Sequence, residues 1–144
     1  MAGFGDTFEN DLLKLIFNAT AITNVADNAA SAPLTNLYVS LHTADPTDAG
    51  NQTSSEISYT GYARVAVART SGGWTVTGNS VSPAATITFG QMTAGTGGTA
   101  THAVIGTASS GTGKIIAMAT VSPNLVVANG TTPSLTTASA FTLD

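Results

Sequence analysis

The stretch from Asn36 to Pro46 constrains this chain more than any other. Leu37, Val39 and Leu41 fall on one side of an extended backbone, and Tyr38, Ser40 and His42 fall on the other. That strict alternation, with aromatic and β-branched residues in it, predicts a half-buried strand. Asp45-Pro46 ends it, because proline has no N–H for a ladder and restricts the residue before it. Before this strand the chain reads as a helix and a polar connection, and after it as strand upon strand.

The spacing predicts a helix over 6–20. Asp6 is placed to cap the free amides, and Glu9 three residues on fits the capping-box spacing. Phe8, Leu12, Leu15, Ile16 and Ala19 share one stripe at helical spacing, expected to pack on the chain's own sheet. Leu13 and Phe17 widen that stripe, and this second edge is a candidate for docking on a partner subunit. Residues 22–35 form a polar connection with room for one more short helical turn.

Residues 47–58 make a long polar loop with little apolar content, expected to be mobile or covered by a partner. Tyr59 to Arg69 alternates again. Ser71-Gly72-Gly73 has hairpin length, so Trp74 to Thr77 is expected to return antiparallel to that preceding strand. Further strands are expected at 85–89, 101–107, 114–121 and 139–144, with turns at 109–113 and at Asn129-Gly130. The glycine- and threonine-rich segment 90–100 cannot order itself cheaply. Gln91 and Met92 within it join Leu13 and Phe17 as a candidate subunit interface. Short strands punctuated by turns predict an antiparallel β-sandwich or barrel-like domain with one N-terminal amphipathic helix, a single domain over 1–144.

Composition narrows the function classes. Charged residues are only 8% of the 144, against roughly 25% in average soluble domains. Surfaces that become covered by other subunits are depleted in charge. The scarcity therefore points to assembly, or alternatively to an extracellular β domain with a Ser/Thr-rich face. Four Lys and Arg in a chain of net charge −4 provide no basic stripe for phosphates, so no nucleic-acid partner is expected. The lack of cysteine removes disulfides, thiolate metal sites and cysteine nucleophiles. Asp6, Glu9 and Asp11 sit where a secretory signal needs positive and apolar residues, and no apolar run approaches the ~20 residues of a membrane span. Synthesis in a cytoplasm and no membrane partner are expected.

Candidate chemistry is sparse. His42 and His102 are the two histidines, each in or beside a predicted strand on its polar face, and each expected at a surface or interface. Neither has the companions of a metal site or a catalytic triad, and no Gly-x-Ser-x-Gly elbow occurs. Asp45, Asp48 and Glu56 flank the long loop, but their spacing fits no EF-hand, and a solvated loop is the plainer reading. Gly111-Thr112-Gly113-Lys114 lacks the Walker spacing and reads as a turn. A single tryptophan and 6% aromatics make a sugar-cleaving cleft a poor fit. Neither catalytic residues nor a cofactor is expected.

The order of segments resembles a known family. A capped amphipathic helix precedes Leu-Tyr-Val-Ser-Leu-His-Thr-Ala-Asp-Pro at 37–46. Gly61-Tyr62-Ala63-Arg64 follows, then Ile87-Thr88-Phe89, Thr101 to Gly106 and a terminal Phe141-Thr142-Leu143-Asp144. This is similar to short structural proteins of tailed bacteriophages, often labelled tail-fibre proteins, with relatives that act as capsid decoration, or cement, proteins. The opening strand and Gly-Tyr-Ala-Arg are its most specific parts. Gly90-Gln91 stands where a proline often follows the phenylalanine. The resemblance implies a non-enzymatic virion protein, foremost a decoration protein forming homotrimers on the major capsid protein. The alternative is a tail-fibre or tail-associated component. A carbohydrate-binding module and a small hydrolase are readings of a different class; the first needs exposed aromatics on one face, the second a histidine in a pocket beside an acid.

Overall fold

A computed structural model describes residues 6–22, 25–26 and 32–143. The fold is mainly β, built from antiparallel sheets that do not close into a barrel, with one N-terminal helix. Its contacts gather into two compact units, and the chain passes back and forth between them in sequence. Unit 1 comprises Met1–Asn36, Val67–Thr86 and Thr136–Asp144, and unit 2 comprises Leu37–Ala66 and Ile87–Leu135. Neither is a continuous segment, so no linker composition marks them.

Unit 1 holds α1 (Asp6–Asn18) and a three-stranded sheet in the order β3 (Trp74–Thr77), β4 (Ser80–Pro83), β9 (Phe141–Thr142). The helix forms as its periodicity predicts, but it turns a different edge to the core. Leu13 and Phe17 are at most 2% exposed, whereas Phe8, Leu12, Leu15 and Ile16 are only half-buried. Glu9, Leu13 and Phe17, four residues apart, line the inward side, and α1 packs on β3 and β4. The reason is Trp74, the one tryptophan, whose ring meets Phe17 edge-on at 5.0 Å and 65°. Phe17 meets the largest apolar body available, so the stripe rotates toward the edge that it shares with Leu13.

The helix ends where Ala19 adopts a left-handed φ of 54°. No basic residue lies in its last turn. Arg69 supplies the charge from elsewhere in the chain: Nε donates to the Ile16 carbonyl at 2.6 Å and Nη2 to the Leu15 carbonyl at 2.8 Å, while Nη1 donates to Leu34 at 2.8 Å. A cation there satisfies orphan carbonyls and opposes the negative end of the helix dipole. The expected cap at Asp6, as a side chain, and most of the 22–35 connection lie outside the described residues.

One expected pairing is replaced. Trp74 to Thr77 does not return along the strand before it; β3 pairs with β4 through the two-residue turn Gly78-Asn79, in register from Trp74↔Pro83 to Thr77↔Ser80. Gly78, at φ 59°, supplies the left-handed conformation that such a turn needs.

Unit 2 is organised around β1 (Asn36–His42), which begins at the unit's boundary. The sheet runs β2 (Val65–Ala68, of which Val67 and Ala68 are counted with unit 1), β1, β6 (Gly98–Gly106), β7 (Ile115–Val127). β1 and β6 are antiparallel, in register from Tyr38↔Gly106 to His42↔His102. β6 and β7 also pair antiparallel, with a break in register where Val121 to Asn124 are accommodated. β5 (Ile87–Thr88) pairs with β8 (Ser134–Leu135), a short strand absent from the sequence reading. Leu37, Val39 and Leu41 are buried as the alternation predicts. Ser40 and His42, on the other face, are buried too, so the end of β1 is covered on both sides.

If Arg69 caps α1, Arg69→Ala should lower the stability of unit 1 by about 1–2 kcal/mol, the scale of charge-assisted hydrogen bonds that water partly replaces. Urea unfolding followed by Trp74 fluorescence reads this directly, because that residue reports on unit 1 alone; an unchanged midpoint would show that the cap contributes nothing.

Candidate functional site: a buried polar clamp

The motif Gly61-Tyr62-Ala63-Arg64 and the polar segment 43–58 come together in unit 2, beside the end of β1. Arg64 and Glu56 form a two-pronged ion pair: Nη2 to Oε2 at 2.7 Å and Nε to Oε1 at 2.8 Å, with side chains only 3% and 16% exposed. Arg64 reaches further. Nη1 donates to the Ala108 carbonyl at 3.0 Å, and Nη2 donates to the carbonyls of Gln52 at 3.1 Å and Gly111 at 2.8 Å. One guanidinium thereby ties the 52–56 segment to the 107–113 turn.

Tyr62 extends the network. Its hydroxyl donates to Glu56 Oε1 at 2.9 Å and accepts from the Leu41 backbone N–H at 3.1 Å. Burial pushes its phenol well above the ordinary value, so it stays protonated and keeps donating. Its ring stacks on Phe89 and leans on Tyr59, whose own hydroxyl donates to the Gly90 carbonyl at 2.9 Å. Gly61 adopts φ 103°, and a Cβ there would lie 2.1 Å from the Gln91 carbonyl oxygen. Three of the four motif residues therefore have a bracing role.

Gln52, Ser40 and His42 are each 0% exposed. The Gln52 Oε1 accepts from the Ala108 N–H at 2.9 Å, and the Gln52 N–H donates to the Gly113 carbonyl at 3.0 Å. Its carboxamide lies against Gly106 and Gly113, where added Cβ atoms would stand 2.1 and 1.9 Å from it. The expectation of a mobile or partner-covered loop over 47–58 is corrected here. Its anchors are polar ones: this clamp, the Asn51 Oδ1 that accepts from Thr53 N–H, and the backbone bonds Thr43 N–H to Ser55 and Ile57 N–H to Leu41.

His42 is not a surface histidine. Its Nδ1 lies 2.8 Å from the Ser54 carbonyl oxygen, which can only accept, so Nδ1 carries the proton. Nε2 then accepts from the Ser40 hydroxyl at 2.9 Å. Desolvation is the main cause that lowers its pKa, opposed by the Ser54 carbonyl and the Glu56 charge. A serine hydroxyl on an imidazole has the geometry of an activated nucleophile. Here both groups are sealed from solvent and the third partner is a backbone carbonyl, so in this structure no substrate carbonyl reaches Ser40. His102 is half-buried with Nδ1 2.9 Å from the Thr101 hydroxyl. Among the described residues no cluster of His, Cys, Asp and Glu could hold a metal ion. Of the acids considered for calcium, Asp45 accepts from the Thr47 N–H and Glu56 is engaged by Arg64.

Of the candidate interface residues, Leu13 and Phe17 lie in the core of unit 1 and Met92, at 2% exposure, in that of unit 2. Gln91 is exposed, with Nε2 donating to the Gly130 carbonyl at 3.0 Å. Of the four side chains it alone faces solvent in the isolated chain. The clamp itself went unread in the sequence. The signal present was Gly106, a glycine inside a strand, which marks a close approach by another group.

What the fold and this site define is a β structural domain whose most distinctive motif is spent on internal bracing. Residues 3–143 match the family described as Podophage GP4 fiber I protein gp80, and the chain belongs to that family of phage fibre proteins. No curated protein matches it. No helix among the described residues is long and apolar enough to cross a membrane.

Removing one member of a buried ion pair strands the other, so Arg64→Met should cost about 3–5 kcal/mol of unfolding free energy. Arg64→Lys, which keeps the charge but loses the fork, should cost at least half as much; urea titration that finds either variant as stable as the parent would refute the clamp. Gly113→Ala should cost about 1–3 kcal/mol by overpacking, and less in a Gln52→Ala background, because the carboxamide it collides with is then gone.

Proposed function

We propose that this chain is a component of a podophage-type virion fibre, a braced β module that works by holding its shape among neighbouring subunits. Its family membership over residues 3–143 carries the reading. The charge distribution supports it: between residues 70 and 143 the only charged side chain is Lys114. An uncharged surface of this extent suits contact with other subunits better than exposure as a free monomer. The module assembles with copies of itself, as a homotrimer, and joins other virion proteins at the tail. The family's description favours the fibre over decoration of the major capsid lattice. The work is mechanical: a domain whose loops are tied down by Arg64, Glu56 and Gln52 adds contacts to an assembly without ordering those loops at the moment of binding.

Immunogold labelling of purified virions, with copy number read from a stained gel, tests the location. The expected result is a small number of copies labelled at the tail. Label spread over the shell at many copies per particle would replace the fibre with a decoration protein. Native mass spectrometry of the isolated chain is expected to show trimers, and a strict monomer would remove the self-assembly.

A further inference from the structure

We propose that His42 is an acid-sensitive latch: its protonation at mildly acidic pH releases the segment 43–56 from the end of β1. The two histidines of the chain stand directly opposite each other in the β1–β6 ladder, His42↔His102. Side chains paired this way across antiparallel strands lie about 4.5–5.5 Å apart at Cβ. His42 is fully buried, and its Nδ1–H is held by the Ser54 carbonyl of the segment that covers it. The imidazole therefore joins strand to segment, and a second proton would enter at Nε2, where it displaces the Ser40 donation and places a charge in the site that the segment seals.

The surroundings disfavour a second proton on that ring. His102 on β6 stands opposite it. Arg64 is a permanent cation in the covering network. Glu56 is the one nearby anion, but both its oxygens are engaged by Arg64 and one also by Tyr62. Tyr62 offers the site no charge while protonated. Burial is the main cause that holds the imidazole below its ordinary value of 6.5; the Ser54 carbonyl and the Glu56 charge oppose it, and Arg64 and His102 add smaller repulsions. The segment itself is poorly anchored apart from its polar ties: within 43–56 only Pro46 and Gln52 are buried. Local opening of such a segment needs less free energy than opening of the strands.

The sign follows from linkage. The closed form keeps His42 neutral while the open form takes up a proton with an ordinary pKa. The closed form is favoured fully above pH 6.5, and that preference is lost as pH falls below it. Each pH unit below that value raises the open fraction by up to about tenfold until the closed form also protonates.

Hydrogen exchange on the full chain, corrected for the intrinsic pH dependence, is the test. The Gln52 and Ile57 amides, bonded to Gly113 and Leu41, should open up to about tenfold more often at pH 5.5 than at 7.5, while Val104 in β6 should not change. In His42→Asn, whose side-chain amide can still donate to Ser54, the increase should vanish. An increase that persists in that variant, that is shared equally by Val104, or that is absent from the parent protein overturns the latch. Should the variant not fold, ring NMR of the parent protein still decides, since His102→Gln assigns the two histidine signals: a His42 ring that titrates at its ordinary value contradicts the proposal, and one that stays neutral below it supports the proposal.

Discussion

A guanidinium taken out of water must be surrounded by acceptors, and the rest of unit 2 is arranged to meet that demand at Arg64. Removing a charge from solvent costs several kcal/mol, and a single counter-ion in imperfect geometry rarely repays it. Here Glu56 supplies both carboxylate oxygens, and three backbone carbonyls accept as well, Ala108 from Nη1 and Gln52 and Gly111 from Nη2. Those carbonyls belong to two loops with no regular ladder of their own. The polar group that would be hardest to bury is thus the one that gives loops 52–56 and 107–113 a defined path. Glycine at 106 and 113 is then required by packing, because the Gln52 carboxamide occupies the space any side chain would fill.

Much of this was legible in the residues and some was not, for identifiable reasons. β1 and the helix announced themselves by period, and the apolar residues of β1 are buried as that period demands. The inward edge of α1 did not, because two adjacent apolar lines run along it and only the position of Trp74 decides between them. The partner of β3 was misread because a turn after Arg69 and a turn after Thr77 carry similar glycine signals. β8 is two residues long and makes sense only beside β5. The largest difference concerns residues 47–58. Counting apolar side chains measures hydrophobic anchoring alone, and this segment is held by hydrogen bonds to residues far away in sequence.

The same distinction bears on function. Gly-Tyr-Ala-Arg stood out as the most specific part of a resemblance to phage structural proteins, which invites a search for a surface role. In the structure Tyr62 and Arg64 point inward, and their specificity belongs to the fold. A serine and a histidine 2.9 Å apart similarly owe their geometry to burial at the end of β1. In this protein of the phage fibre family, buried polar contacts brace loops that apolar anchoring alone would leave unheld.

Backbone 15N relaxation on the isolated chain tests the internal brace most directly. If Arg64 and its partners hold the loops without help from other subunits, order parameters over 48–57 and 107–113 should match those of β1 and β6, near 0.85. Values below about 0.6 across those segments would contradict it, and would mean that the loops acquire their structure only from neighbours.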